Sequence, residues 1–212
     1  MIALFLSAFI TLFVVIDPPG CAPIYAGLTK GATNTQRRNM ALRAVVIAGI
    51  ILVGFALFGE DLLSALHIEL DSFRIAGGIM LFVIALEMVF EKRTQRREDR
   101  AEKVAATPEV EDVSVFPMAM PMLAGPGSIA TAMLFMSEAV VWSQKAVVLS
   151  AIALNMVLCL VVFLMAGPIV KAMGESVAGA ITRIFGVILA ALSTQLMIDG
   201  IIGAFGIVVP GH

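Results

Sequence analysis

Charge is scarce in this sequence: Asp, Glu, Lys and Arg make up 14% of its 212 residues, while 60% are hydrophobic. A soluble domain carries about 25% charged residues, so this chain lacks the surface to stay in water alone. Cysteine is scarcer still. Cys21 and Cys159 both sit in apolar stretches, which reads as two buried free thiols and excludes a disulfide scaffold or a Cys/His metal motif. With two histidines, no Walker loop and no nucleophile–His–acid set, the chain offers no catalytic machinery and is not expected to be an enzyme. No cofactor is expected. A net charge of −2 argues against nucleic acid as a partner.

What the sequence has instead is long apolar runs. Residues 2–28, 41–58, 73–90, 113–136, 146–165 and 181–209 each approach the roughly 20 apolar residues a bilayer-spanning helix needs. Six spans consume nearly the whole chain and leave no room for a soluble domain. The first run has no basic flank and no small-residue cleavage site, so it reads as a retained helix and not a signal peptide. The expected class is an all-α integral membrane protein of six transmembrane helices with the lipid bilayer as partner.

Basic residues set the orientation. Lys30, Arg37, Arg38 and Arg43 lie around the first connection, Lys92, Arg93, Arg96, Arg97, Arg100 and Lys103 in the linker, and Lys171 and Arg183 around the fifth connection. Only Arg74 and Lys145 fall on the other side. The positive-inside rule makes the linker cytoplasmic and both termini periplasmic, in a cell inner membrane. The linker itself, residues 91–112, is polar and mixed in charge and reads as a solvated joint between residues 1–90 and 113–212.

Those two halves resemble each other. Pro19-Gly20 recurs as Pro126-Gly127, with Cys21 matched by Ser128, and Arg74-Ile75-x-Gly77-x-Ile79 recurs as Arg183-Ile184-x-Gly186-x-Ile188. Three spans per half is an odd number, so the second copy enters the membrane upside down, as two inverted-topology three-helix repeats.

The first and fourth spans carry the chemistry of a broken helix. In Asp17-Pro18-Pro19-Gly20, two prolines remove two backbone donors and push the residue before them out of helical angles. Asp17 suits an N-cap and Pro18 a first helical position, so a half-helix over residues 18–28, about 16 Å long, restarts inside the membrane. Its N-terminus offers free donors and partial positive charge to an anionic group. In the fourth span Pro117 and Pro121 weaken the helix, Ala124-Gly125-Pro126-Gly127-Ser128 breaks it, and Gly125 serves as N-cap. Glycine and proline also make packing kinks in membrane helices. The turn chemistry at matched positions points to a binding site.

The intramembrane polar groups complete the candidates. Asp17 can cap its half-helix, bind a substrate amine or carry a proton; an ionisable group at that depth is a functional candidate by default. Glu87 lies a turn from the end of the third span and reaches the interface. Asn155 and the run Ser193-Thr194-Gln195 either join helices or line a cavity. The substrate-binding set is therefore Asp17, Gly20, Cys21, Gly125, Gly127, Ser128, Asn155, Thr194 and Gln195, with no metal site.

The first-span motif, Phe73-Arg74-Ile75-Ala76-Gly77-Gly78, Pro121-Met122-Leu123-Ala124-Gly125-Pro126-Gly127-Ser128-Ile129 and Arg183-Ile184-Phe185-Gly186 together resemble the MarC family of membrane proteins across essentially the whole chain. The resemblance implies a place in a wider group of amino-acid and metal exporters that includes the lysine-exporter type. Its SnatA-like members move small neutral amino acids such as glycine and alanine, coupled to protons. The function it implies is a secondary transporter of such substrates by alternating access, held at the broken helices; the alternative is an exporter of cations or drug-like compounds. A cation site would want several carboxylates at depth, and a drug site more aromatics than one tryptophan, one tyrosine and scattered phenylalanines.

Overall fold

A computed structural model describes residues 1–105 and 112–207; residues 106–111 of the linker and 208–209 of the sixth apolar run lie outside them. The described chain is helical, with no strand among the described residues. α1 (Ile2–Ile16) and α2 (Pro18–Leu28) form the first span, α3 (Asn34–Ala65) the second and α4 (Leu70–Val89) the third. α5 (Lys92–Ala105) follows in the linker. The fourth span is a wide-turned segment, Ser114–Leu123, and then α6 (Pro126–Ser137), bent 54° from it. α7 (Trp142–Leu164) and α8 (Ala166–Phe205) complete the chain. Five segments are long and apolar enough to cross a membrane, or six if the bent pair counts as one.

Local sequence explains the boundaries. α3 starts on a capping box: the Gln36 amide donates to Thr33 Oγ1 (3.3 Å) while the Thr33 amide donates to Gln36 Oε1 (2.8 Å). α4 stops at Val89, and Glu91 takes a left-handed φ of 60°, so the linker turns away and does not prolong the third span. The Ser114–Leu123 segment is interrupted by extended angles at Phe116 and Met120, the residues preceding Pro117 and Pro121. α8 is longer than the sixth apolar run because residues 166–180, which precede that run, are also helical.

α4 and α8 pack most extensively. A Cβ at Gly78 would lie 2.9 Å from the Ser193 carbonyl oxygen, and one at Gly186 the same distance from that of Ala85. These glycines therefore let two backbones touch, the usual device where lipid supplies no hydrophobic drive between helices. α1 lies on α7, α6 on α3, and α3 on α7. The main core joins these broken and unbroken helices around Leu12, Ile16, Leu52, Leu123 and Ile152; a smaller one joins Val15 of α1 to Leu81, Ala85 and Met88 of α4 and Leu189 of α8. Large apolar residues such as Phe58 and Val187 face outward, as lipid contact requires.

Candidate functional site

The site begins with missing donors. In an unbroken helix the carbonyl of Val15 would receive the amide of residue 19 and that of Ile16 the amide of residue 20. Pro19 has no amide hydrogen, and the Gly20 amide is diverted to Asp17 Oδ1 at 3.2 Å. Asp17 makes this possible by adopting φ 57° and ψ 63°, a left-handed conformation that Asp tolerates better than most residues. It caps α2 as its sequence position predicts.

The orphaned carbonyls are satisfied from the linker. Arg93 Nη2 donates to Val15 O at 2.6 Å, and Arg97 Nη2 to Ile16 O at 3.2 Å. Cys21 Sγ is a second donor to Ile16 O, at 3.6 Å. Arg97 Nη1 also pairs with Asp17 Oδ2 at 3.2 Å, and Thr182 Oγ1 on α8 donates to the same carboxylate at 3.2 Å. The Asp17 and Arg97 side chains are 1% and 8% exposed, so this ion pair is buried. Next to it Arg96 Nη2 pairs with Glu87 Oε1 at 2.6 Å.

The solvated-joint reading of residues 91–112 is thereby corrected for the described residues. Arg93 and Arg97 are four residues apart and share one face of α5. That face supplies two cations and several N–H donors to a break that lacks both. Further contacts fix the linker's ends: Glu91 pairs with Arg183, and Asp112 with Arg43 at 2.7 Å. Burial favours the protonated form of Asp112, but bonds from Ser114 and Arg43 outweigh it and hold this carboxyl below its ordinary range. Glu87 is corrected too. It is held against α5 and does not simply reach the interface.

The second break is built differently. Gly125 is the N-cap of α6, with φ −81° and ψ 170°, and Pro126 is the first helical residue, as the sequence predicts. Only glycine fits there: a Cβ would stand 2.5 Å from Pro121 O. Ser128 Oγ donates to Leu123 O at 2.7 Å, which repairs the acceptor side of the break. The donor side is left without any side-chain cap. Gly127 lies tightly against the first half, where a Cβ would come within 2.6 Å of Ile84 Cδ1 and 3.2 Å of Val15 Cγ1.

A cavity of about 260 Å³ separates the uncapped start of α6 from α5. Gly125, Pro126, Gly127 and Ser128 form one wall, Arg93, Arg96, Arg97 and Glu87 the other, and Val15, Ile84, Pro121 and Met122 the apolar remainder. Three guanidiniums and a helix N-terminus outweigh Glu87 in the lining and Asp17 behind it, which makes this space attractive to an anionic group, with a single acceptor at its edge.

Of the sequence-derived set, Gly125, Gly127 and Ser128 line the cavity. Asp17 stands one residue behind the wall, through Arg97. Gly20 and Cys21 are buried in the first turn of α2 and do not line it. Three residues lie elsewhere. Asn155 is fully buried on α7, donating Nδ2 to Phe9 O (3.2 Å) and Ala151 O (2.9 Å), with Oδ1 unpartnered. Phe9 is eight residues from Asp17, about 12 Å along a helix, so Asn155 joins α7 to α1 away from the first break. Thr194 and Gln195 are exposed on α8 and bond within it, to Ala190 O and to Asp199 Oδ1. Sequence reasoning missed Arg93, Arg96, Arg97, Thr182 and the role of Glu87. The available signal was two buried-span acids, Asp17 and Glu87, beside a linker with arginines at helical spacing.

The chain matches the model of the MarC family integral membrane proteins over residues 2–205. A UPF0056 membrane protein of Methanocaldococcus jannaschii is 36% identical over 200 residues, covering 94% of this chain and 97% of its own. The UPF0056 membrane protein YhcE of Escherichia coli is 34% identical over 204 residues, 93% and 91% of the two chains. YvbG of Bacillus subtilis, also a UPF0056 membrane protein, is 31% identical over 205 residues, 97% of each. No solved structure matches. With the family model and full-length relatives in agreement, this multi-pass helical chain belongs to the MarC family of integral membrane proteins.

Proposed function

We propose that this protein is a secondary transporter of small neutral amino acids, of the glycine and alanine class, and not an enzyme. The observation that carries the reading is the cavity of about 260 Å³ between the uncapped α6 N-terminus and the arginine face of α5. Its volume falls below the roughly 300–1,000 Å³ of drug-sized pockets. Its lining suits a zwitterion: the Gly127 and Ser128 amides and the arginines receive the carboxylate, and Glu87 receives the ammonium. Three arginines facing the space oppose a free cation as cargo.

The packing supports two inverted repeats. α1 on α7 corresponds to the Ser114–Leu123 segment on α3, and α2 on α7 to α6 on α3, while α4–α8 and α3–α7 are each their own counterparts under exchange of halves. Alternating access then rocks one half against the other around the fixed breaks, with protons as the candidate coupling ion. In this account the inner membrane holds the chain with both termini outside, and α5 covers the cavity from the cytoplasmic side. Arg93 and Arg97 position that cover.

Proteoliposomes loaded with unlabelled glycine test the proposal by counterflow of labelled glycine, alanine, lysine and divalent cations. Glycine and alanine exchange is expected, and Gly125→Val should abolish it in protein that still inserts. Exchange of lysine or a divalent cation without glycine would refute the reading.

A further inference from the structure

A second cavity, of about 360 Å³, lies away from the transport site, where α2 ends, α3 begins and α7 turns into α8. The first, second and fifth spans all terminate around it, at Leu28, Asn34 and Leu164, which places it at the level of lipid headgroups. Its charged wall is held in shape by internal bonds. Tyr25 Oη donates to the Arg37 carbonyl at 2.5 Å, and Arg37 Nε donates to the Thr29 carbonyl at 2.9 Å. Tyr25 itself is stacked on Phe163, with ring centroids 4.6 Å apart. The Arg37 guanidinium is thereby fixed through Nε, which leaves its two terminal nitrogens for another partner.

Among the described residues no ion pair involves Arg37 or Arg38. The sequence holds no acid from residue 29 to 43 or from 159 to 174, the two stretches that enclose the cavity. The opposite wall adds donors, because α8 starts without a side-chain cap and a Cβ at Gly167 would meet nothing within 4 Å. From this cavity an apolar strip runs along the outer face of α7, through Leu164, Val161 and Val157, which are 50%, 43% and 54% exposed. Their spacing of three and four residues keeps them on one side of the helix.

We propose that this cavity binds the phosphate of an anionic phospholipid, with Arg37, Arg38 and the Gly167 amide on the headgroup and an acyl chain along the α7 strip. Two uncompensated cations select an anionic lipid over a zwitterionic one, and the strip selects a lipid over a free phosphate. The site is independent of the transport reading and leaves the α5 cavity untouched.

Native mass spectrometry of the purified protein tests it, with phosphatidylglycerol, phosphatidylcholine and inorganic phosphate as separate probes and thermal melting as a second readout. Phosphatidylglycerol should give a retained adduct and a higher melting temperature. Arg38→Gln, a change at an exposed side chain, should weaken that adduct about fivefold, and Arg37→Gln/Arg38→Gln more. Lys145→Gln, on another part of the molecule, should leave it unchanged. The proposal is overturned if the arginine variants bind phosphatidylglycerol like the parent, or if phosphatidylcholine binds equally well. An identical melting shift from inorganic phosphate would also overturn it, by assigning the cavity to a free anion.

Discussion

Replacing Asp17 with Asn separates two roles that one carboxylate fills. As a cap, Asn serves α2 as well as Asp does, so the bond from the Gly20 amide survives. As a counterion it fails, because an amide leaves Arg97 charged in a site where its side chain is only 8% exposed. Removing one partner of a buried ion pair costs about 3–5 kcal/mol. The Arg97 bond to Ile16 O and the Thr182 hydroxyl soften the loss, so Asp17→Asn should fall near the lower end, about 3 kcal/mol. Arg97→Gln should be less damaging, since Asp17 keeps both the Gly20 amide and Thr182. The double variant carries no stranded charge, and its loss should be smaller than the sum of the singles by about 0.5–3 kcal/mol. Denaturant unfolding of the four proteins in one detergent, followed by far-ultraviolet circular dichroism, gives all three differences. If Asp17→Asn matches the parent within about 0.5 kcal/mol, or the single losses simply add, the pair is not coupled and the reasoning fails.

Gly127→Ala should cost about 1–3 kcal/mol through overpacking, because its Cβ would meet Ile84 Cδ1, the movable tip of a side chain. Gly186→Ala should lower the melting temperature further, since the Ala85 carbonyl oxygen in its way is backbone; equal melting of the two variants would count against this packing. The Asp112 carboxyl is held below its ordinary value of 3.8, so its contribution to stability is present above that pH and disappears as pH falls through the lower native value. The stability gap between the parent and Asp112→Asn should therefore close below about pH 3.8, and a gap that widens there would refute the assignment. Single cysteines in α5, in a background without Cys21 and Cys159, should resist an impermeant thiol reagent in intact cells; rapid labelling would reverse the orientation.

The positions of the breaks were legible without any structure. Pro18 and Pro19 have no amide to give, Gly125-Pro126 carries an N-cap and a first helical residue, and such backbone chemistry acts through the nearest few residues. The same holds for the apolar runs, whose length alone marks them as membrane helices. What fills each break was not legible. Both halves carry a Pro-Gly break, yet one is occupied by two arginines about 80 positions along the chain while the other is left open to a cavity. That difference depends on α5 folding back over the α1–α2 break, a long-range pairing that no local pattern encodes. Thr194 and Gln195 show the same limit: polarity inside an apolar run marks a residue as unusual, but which side of α8 it occupies follows from the packing of α8 against α4. Sequence by itself determined where this backbone must lose its hydrogen bonds, because proline and glycine act locally, and it supplied the near replacements at Asp17, Cys21 and Ser128; only the tertiary structure brought Arg93, Arg97 and Thr182 to the first break, because they come from distant parts of the chain.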